Sequence, residues 1–188
     1  INVFGGGSKY GIEALINGEA DICTSSRKLY PDEAKKLVNK FNTLGVAHLV
    51  AIDALSIFVN RNNPIDNISH ETLKNIFTGK IVKWSDLGFV NDKIQPVIRN
   101  IDSGTYLFFK EYVLDGEEYS NNCIEFNTTK KVVDFITFNI NAIGYGGIGY
   151  AGEVKTLSVD GIFPNTQNIL NNKYPYFRYL YFFTIKEP

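Results

Sequence analysis

The chain has 188 residues, of which 44% are hydrophobic and 21% charged, enough for a well-buried core in one or two small domains. A formal net charge of −1 with 19 dispersed Lys and Arg argues against a nucleic-acid partner, because no basic stripe exists. No run of 18 apolar residues occurs, so no segment reads as a membrane span, and the chain as given carries neither a signal peptide nor a lipidation motif.

In chain order, the first element is a short apolar run, Ile1 to Phe4, read as a strand. It leads through Gly5-Gly6-Gly7-Ser8 into a helix with Ile12, Leu15 and Ile16 on its buried stripe and its end near Gly18. Glycines let backbone approach a ligand closely, and Ser8 offers a hydroxyl and an amide at a helix N-terminus. The Gly-Lys-Ser/Thr ending of a P-loop is missing, and a GxGxxG reading fails too, so nucleotide binding is unsupported. Asp21 to Thr24 reads as an apolar strand running out into Ser25, Ser26 and Arg27, and strand ends are where open α/β sheets bind ligands.

A helix is predicted from about Asp32 to Phe41, with Ala34, Leu37, Val38 and Phe41 on its apolar face. His48 to Val59 is too apolar for an edge and reads as a buried strand interrupted by Asp53. A buried carboxylate costs several kcal/mol unless paired, so Asp53 requires a partner in the fold or the proton of a ligand. Ser69 is placed as the cap of a helix carrying Leu73, Ile76 and Phe77, and Trp84 as a core anchor.

Gln95 to Arg99 reads as a short strand leading into the most informative segment, Arg99-Asn100-Ile101-Asp102-Ser103-Gly104-Thr105. Ser103 is a good N-cap, and Leu107, Phe108, Tyr112 and Val113 follow at helical spacing. First-turn N–H groups favour an oxyanion, and Arg99 adds permanent charge with two parallel donors. Thr128 or Thr129 starts another helix, with Val132, Val133, Phe135 and Ile136. The glycine-rich run Ala142 to Ala151 reads as a strand. Strands near residues 55 and 145 suit two crossings between a first lobe and a second.

Cys23, Cys123, His48 and His70 are scattered, so they make no metal cluster, and the cysteines read as small buried residues and not as a disulfide. No nucleophile and base pair appears, which weakens any enzyme reading.

These segments together, Gly5-Gly6-Gly7-Ser8-x-x-Gly11-Ile12, Asp21-Ile22-x-x-Ser25-Ser26-Arg27, Ala51-Ile52-Asp53 with Val59-Asn60, Ile76-Phe77-Thr78-Gly79-Lys80-Ile81-x-x-Trp84, Arg99-x-x-x-Ser103-Gly104-Thr105, Ala142-Ile143-Gly144-Tyr145 and Val159-Asp160-Gly161-Ile162-x-Pro164-Asn165, resemble the PstS family of phosphate-binding proteins serving bacterial high-affinity phosphate ABC transporters. The resemblance covers nearly the whole chain. It implies an α/β, two-lobed periplasmic-binding-protein fold of type II with two crossover strands, with lobe I at 1–57 plus 147–188 and lobe II at 58–146. It also implies a non-enzymatic, monomeric receptor without cofactor or metal, periplasmic or on the cell surface, that encloses inorganic phosphate and delivers it to a permease.

Residue by residue, the resemblance places phosphate contacts on Ser8, Arg99, Ser103, Gly104 and Thr105. Ser26 stands where some members carry an aspartate that accepts the phosphate proton, which leaves Asp53 as the candidate acceptor with Ser26 contributing a hydroxyl. The acid often found two residues after the arginine is Ile101 here, followed by Asp102. Members begin with a further strand and turn that supply donors, so this chain is expected to lack one wall of the site or to continue upstream, where a lipid anchor would also reside. Another oxyanion (sulfate, molybdate or tungstate) or an adhesion or signalling role on the same fold are the alternatives.

Overall fold

The computed structural model describes residues 1–89 and 93–186. In chain order the helices and strands are α1 (Ser8–Asn17), β1 (Ile22–Ser25), α2 (Pro31–Phe41), β2 (Val46–Val59), β3 (Asn67–Ile68), α3 (His70–Phe77), β4 (Gln95–Arg99), α4 (Gly104–Tyr112), β5 (Ile124–Phe126), α5 (Thr129–Phe138), β6 (Ala142–Gly147), β7 (Lys155–Val159), α6 (Thr166–Leu170) and β8 (Phe177–Thr184). They form two compact units, one of residues 1–53, 102–104 and 178–188, the other of 54–101 and 105–177.

In the first unit, β1 pairs antiparallel with β8, with Cys23 opposite Phe183 and Ser25 opposite Tyr181. The stripe read from the sequence for α1, Ile12, Leu15 and Ile16, is buried against Cys23, Leu37 and Phe183. Burying each such side chain contributes roughly 1.5 to 3 kcal/mol. On α2 only Leu37 of the expected face is buried, and beside it lies Glu33. Residues 1–4 form no strand and are exposed, because a strand needs a neighbour to take up its backbone hydrogen bonds.

β2 departs from its expected burial as well. Ala54 to Val59 are fully enclosed, whereas Leu49, Val50 and Ile52 are exposed. Apolar content alone does not say which part of a strand receives a covering layer. Among the described residues of the first unit, the core cluster is the one α1 and α2 make with Cys23 and Phe183.

In the second unit, the buried half of β2 pairs antiparallel with β6, β6 pairs parallel with β4, and β4 pairs parallel with β5. β7 runs antiparallel to β2 and parallel to β3. One side of this sheet holds Leu73, Phe77, Phe109, Tyr145 and Trp84. Phe109 stacks on Tyr145 with ring centroids 4.0 Å apart. Trp84 is the core anchor expected, its Nε1 donating to the Asn141 carbonyl at 3.2 Å. α5 covers Phe58 and Val97 with Val132, Val133 and Ile136.

Tyr106 and Phe109 are the buried residues of this stripe of α4, with Val113 just past the helix end buried as read, whereas Phe108 and Tyr112 of the sequence reading are one residue out of phase. Those two instead stack on each other at 4.5 Å, with Tyr112 exposed.

The units divide the chain differently from the expected 1–57 plus 147–188 and 58–146. Residues 54–57 and 147–177 belong to the second unit, because β2 from Leu55 onward pairs with β6 and because β7 is anchored on β2 and β3. β6 lies within the second unit, and β8 is the strand in which the chain returns, at 177/178. Residues 187 and 188 lie outside the described residues.

Cys23 and Cys123 are free thiols. Burial pushes each thiol up to about 11. At pH 8 that leaves only about 0.1% thiolate, the reactive form. Neither cysteine is expected to react with a thiol reagent in the folded chain at pH 8, while both should react in urea. Rapid labelling of the folded chain would contradict this burial.

Candidate functional site

The first unit collects hydroxyls around the start of α4. Ser8 opens α1 and is buried, and Ser26 follows β1 directly. The Ser26 backbone N–H donates to Ser8 Oγ at 3.1 Å, and the two hydroxyl oxygens are also 3.1 Å apart. One hydroxyl proton is consumed between them, whichever donates, and the other proton of the pair remains to be donated elsewhere.

Both hydroxyls lie against Gly104. A Cβ built on Gly104 would stand 2.7 Å from Ser8 Oγ and closer still to Ser26 Oγ, so a side chain there would push the two hydroxyls aside. Gly104 is the first residue of α4, whose first-turn N–H groups have no acceptor within the helix. Ser103, immediately before it, is buried. Helix start and paired hydroxyls together form a lining of neutral donors suited to an anion.

Lys9, Asp102 and Arg27 of the first unit are engaged in ion pairs. Lys9 Nζ donates to Asp102 at 2.8 Å at the surface, and that hydrogen bond raises the lysine pKa. Asp102 is thus half of a solvated pair. Arg27, at the end of the hydroxyl-bearing strand, donates through both Nη atoms to Glu33 at 2.8 and 2.7 Å, and Glu33 also accepts the Tyr30 N–H at 2.8 Å. Burial works against the Arg27 charge, but the hydrogen bond and charge of Glu33 outweigh it and hold its pKa above the usual arginine value. Arg27 therefore ties β1 to α2.

Asp53 has a partner in the fold, one of the two readings the sequence allowed, though the sequence did not name the residue. Arg178 on β8 donates to Asp53 Oδ2 from Nη2 at 3.0 Å and from Nε at 3.3 Å. Burial lowers the Arg178 pKa and Asp53 opposes that shift. One signal was available, since Arg178 is the single charge in the aromatic run Phe177 to Phe183 just as Asp53 interrupts an apolar strand.

In the second unit, Arg99 ends β4. Its Nη1 donates to Thr129 Oγ1 at 2.7 Å and its Nη2 to the Asn127 carbonyl at 3.0 Å. Its backbone hydrogen-bonds the hydroxyl of Tyr145, which is itself 2.9 Å from the Tyr119 hydroxyl. Burial raises the Tyr145 pKa, and these hydrogen bonds oppose the rise. Thr105, second residue of α4, is buried. Thr129 had no signal in the sequence beyond helix capping, because its contact with Arg99 spans 30 residues.

Of the expected residues, the structure brings Ser8, Ser26 and Gly104 together and sets Ser103 beside Gly104 in the chain. It leaves Asp53 on Arg178 and fixes Arg99 against the start of α5. His48 Nε2 lies 3.4 Å from Thr184 Oγ1, and His70 Nδ1 lies 2.6 Å from the Tyr176 hydroxyl. Among the described residues, no three His, Cys, Asp or Glu side chains are grouped to hold a metal ion.

The chain is 34% identical over 207 residues to the phosphate-binding protein PstS of Pseudomonas aeruginosa, with 100% of this chain and 64% of that protein aligned. It is 35% identical over 188 residues to PstS of Bacillus subtilis, covering 98% of this chain and 60% of that protein. The chain thus spans under two thirds of the length of these relatives. A Clostridium perfringens crystal structure with bound phosphate, assigned as a phosphate ABC transporter substrate-binding protein, superposes with a TM-score of 0.88 at 29% identity, over 97% of this chain and 72% of that one. An ABC-type phosphate transport receptor from Vibrio cholerae gives 0.77 at 28% identity, over 97% and 74%. The family model described as a PBP superfamily domain matches residues 1–188, and the chain belongs to that superfamily.

Proposed function

We propose that this chain captures inorganic phosphate outside the cytoplasm and delivers it to the permease subunits of a phosphate ABC transporter. The observation that carries the reading is the Ser8–Ser26 hydroxyl pair laid against Gly104 at the start of α4. Ser103 and Thr105 extend that lining, and Arg99 supplies the countercharge. Donors of this kind replace the water that a doubly charged oxyanion loses on binding. The named functions of the relatives support the ligand, and they are binding proteins and not enzymes. The two compact units are read as the two lobes. The receptor acts as a monomer without cofactor or metal, free in the periplasm or held at the surface through an upstream lipid anchor.

Capture of another oxyanion is the second reading, and the Asp53–Arg178 pair favours it. Asp53 Oδ2 already accepts two hydrogen bonds from Arg178, and a lining of hydroxyl and N–H donors serves sulfate, molybdate or tungstate equally. Thermal unfolding of the chain, refolded free of anion, separates the readings, since a ligand that binds only the folded state raises the midpoint. Phosphate is expected to raise it most. Equal stabilisation by sulfate would favour the second reading, and no shift with any oxyanion would reject both, leaving an adhesion or signalling role.

A further inference from the structure

We propose that Thr129 is a positioning residue that fixes the Arg99 guanidinium for oxyanion binding, an inference that rests on the anion-binding reading of Arg99. The segment 127–129 presents two acceptors to that guanidinium, the Asn127 carbonyl to Nη2 at 3.0 Å and the Thr129 hydroxyl to Nη1 at 2.7 Å. Both are neutral. A neutral acceptor orients an arginine without setting a negative charge beside it, whereas an orienting carboxylate would compete with an anion.

Thr129 is itself held rigidly. It is buried, and the Thr128 side chain beside it caps α5 by accepting the Lys131 N–H at 3.3 Å. Its methyl group lies against Gly146 on β6, so closely that a Cβ on Gly146 would overlap it, and the same Cβ would stand 3.0 Å from Phe58 Cε2. With the methyl seated on β6, the hydroxyl has one direction left, toward Arg99. The helix behind it is anchored by Val132, Val133 and Ile136. A group placed on packed elements in this way is preorganised, and its partner loses little further freedom on binding.

Two substitutions separate the hydroxyl from the methyl. Thr129→Val keeps the methyl contact and removes the acceptor, while Thr129→Ser keeps the acceptor and loses the methyl. The first measurement needs no ligand: nitrogen-15 NMR of the arginine Nη–H groups in the full chain, with the Arg99 signals identified by their loss in Arg99→Ala. Restricted rotation is expected in the unsubstituted chain and in Thr129→Ser, and fast averaging in Thr129→Val.

The second measurement is calorimetric titration with inorganic phosphate. Thr129→Val is expected to bind about 10-fold more weakly and Thr129→Ser within about 3-fold of the unsubstituted chain. Combining Thr129→Val with Arg99→Ala is expected to cost nothing beyond Arg99→Ala alone. Thr129→Val with unchanged Arg99 signals would overturn the proposal, as would Thr129→Ser as impaired as Thr129→Val. If the unsubstituted chain bound no phosphate, the anion reading would fall, and the NMR comparison would still decide whether Thr129 holds Arg99.

Discussion

Replacing Arg99 by alanine is expected to weaken phosphate binding by at least about 100-fold, the loss of two charged hydrogen bonds at roughly 1.5 to 3 kcal/mol each. Arg99→Lys keeps the charge but not the planar fork, and only one nitrogen would then serve both Thr129 and an anion, so a smaller loss of about 10-fold is expected. Titration calorimetry reads both variants. Chemical denaturation of the anion-free forms should show little change, since Arg99 lies at the end of β4 and is not part of the sheet's apolar core. Unchanged phosphate affinity in Arg99→Ala would mean that the anion is held elsewhere.

The second large effect is expected at Asp53, and it is one of stability. Asp53→Asn leaves Arg178, buried on β8, without its carboxylate. Removing one partner of a buried pair costs about 3 to 5 kcal/mol. Because Asp53 is not fully enclosed, about 2 to 3 kcal/mol is expected, read as a lowered denaturation midpoint. Phosphate and sulfate affinities should fall together or not at all. A fall confined to phosphate would contradict this assignment and identify Asp53 as the acceptor of the phosphate proton.

How far the sequence discloses this molecule depends on how local each determinant is. α1, α3 and α5 are legible because an apolar stripe and the turn before it lie within a dozen residues, and Ser69 caps α3 as read, accepting the Thr72 N–H at 3.0 Å. The phase of α4 was misjudged because Leu107, Phe108, Phe109, Tyr112 and Val113 offer two competing stripes, and contact with Tyr145 selects the one through Phe109. The two halves of β2 are alike in apolar content, so composition could not foretell that only Ala54 to Val59 would be enclosed.

The site follows the same rule. Ser8, Ser26 and Gly104 stand out because hydroxyls and glycine beside helix starts have a local chemistry that suits anions. The residues that settle which charges are available are distant in sequence. Arg178 lies 125 residues from Asp53, and Thr129 lies 30 from Arg99. Only the folded chain shows that Asp53 is engaged by Arg178 and that Arg99 donates to the Thr129 hydroxyl and the Asn127 carbonyl.

The most direct test is to unfold and refold the purified chain to strip any bound ion, then titrate it calorimetrically with phosphate and, separately, with sulfate. Saturable binding of phosphate, with sulfate much weaker, is the predicted result. Failure to bind either ion, by a chain shown to be folded, would contradict oxyanion capture by the Ser8, Ser26, Gly104 and Arg99 donors.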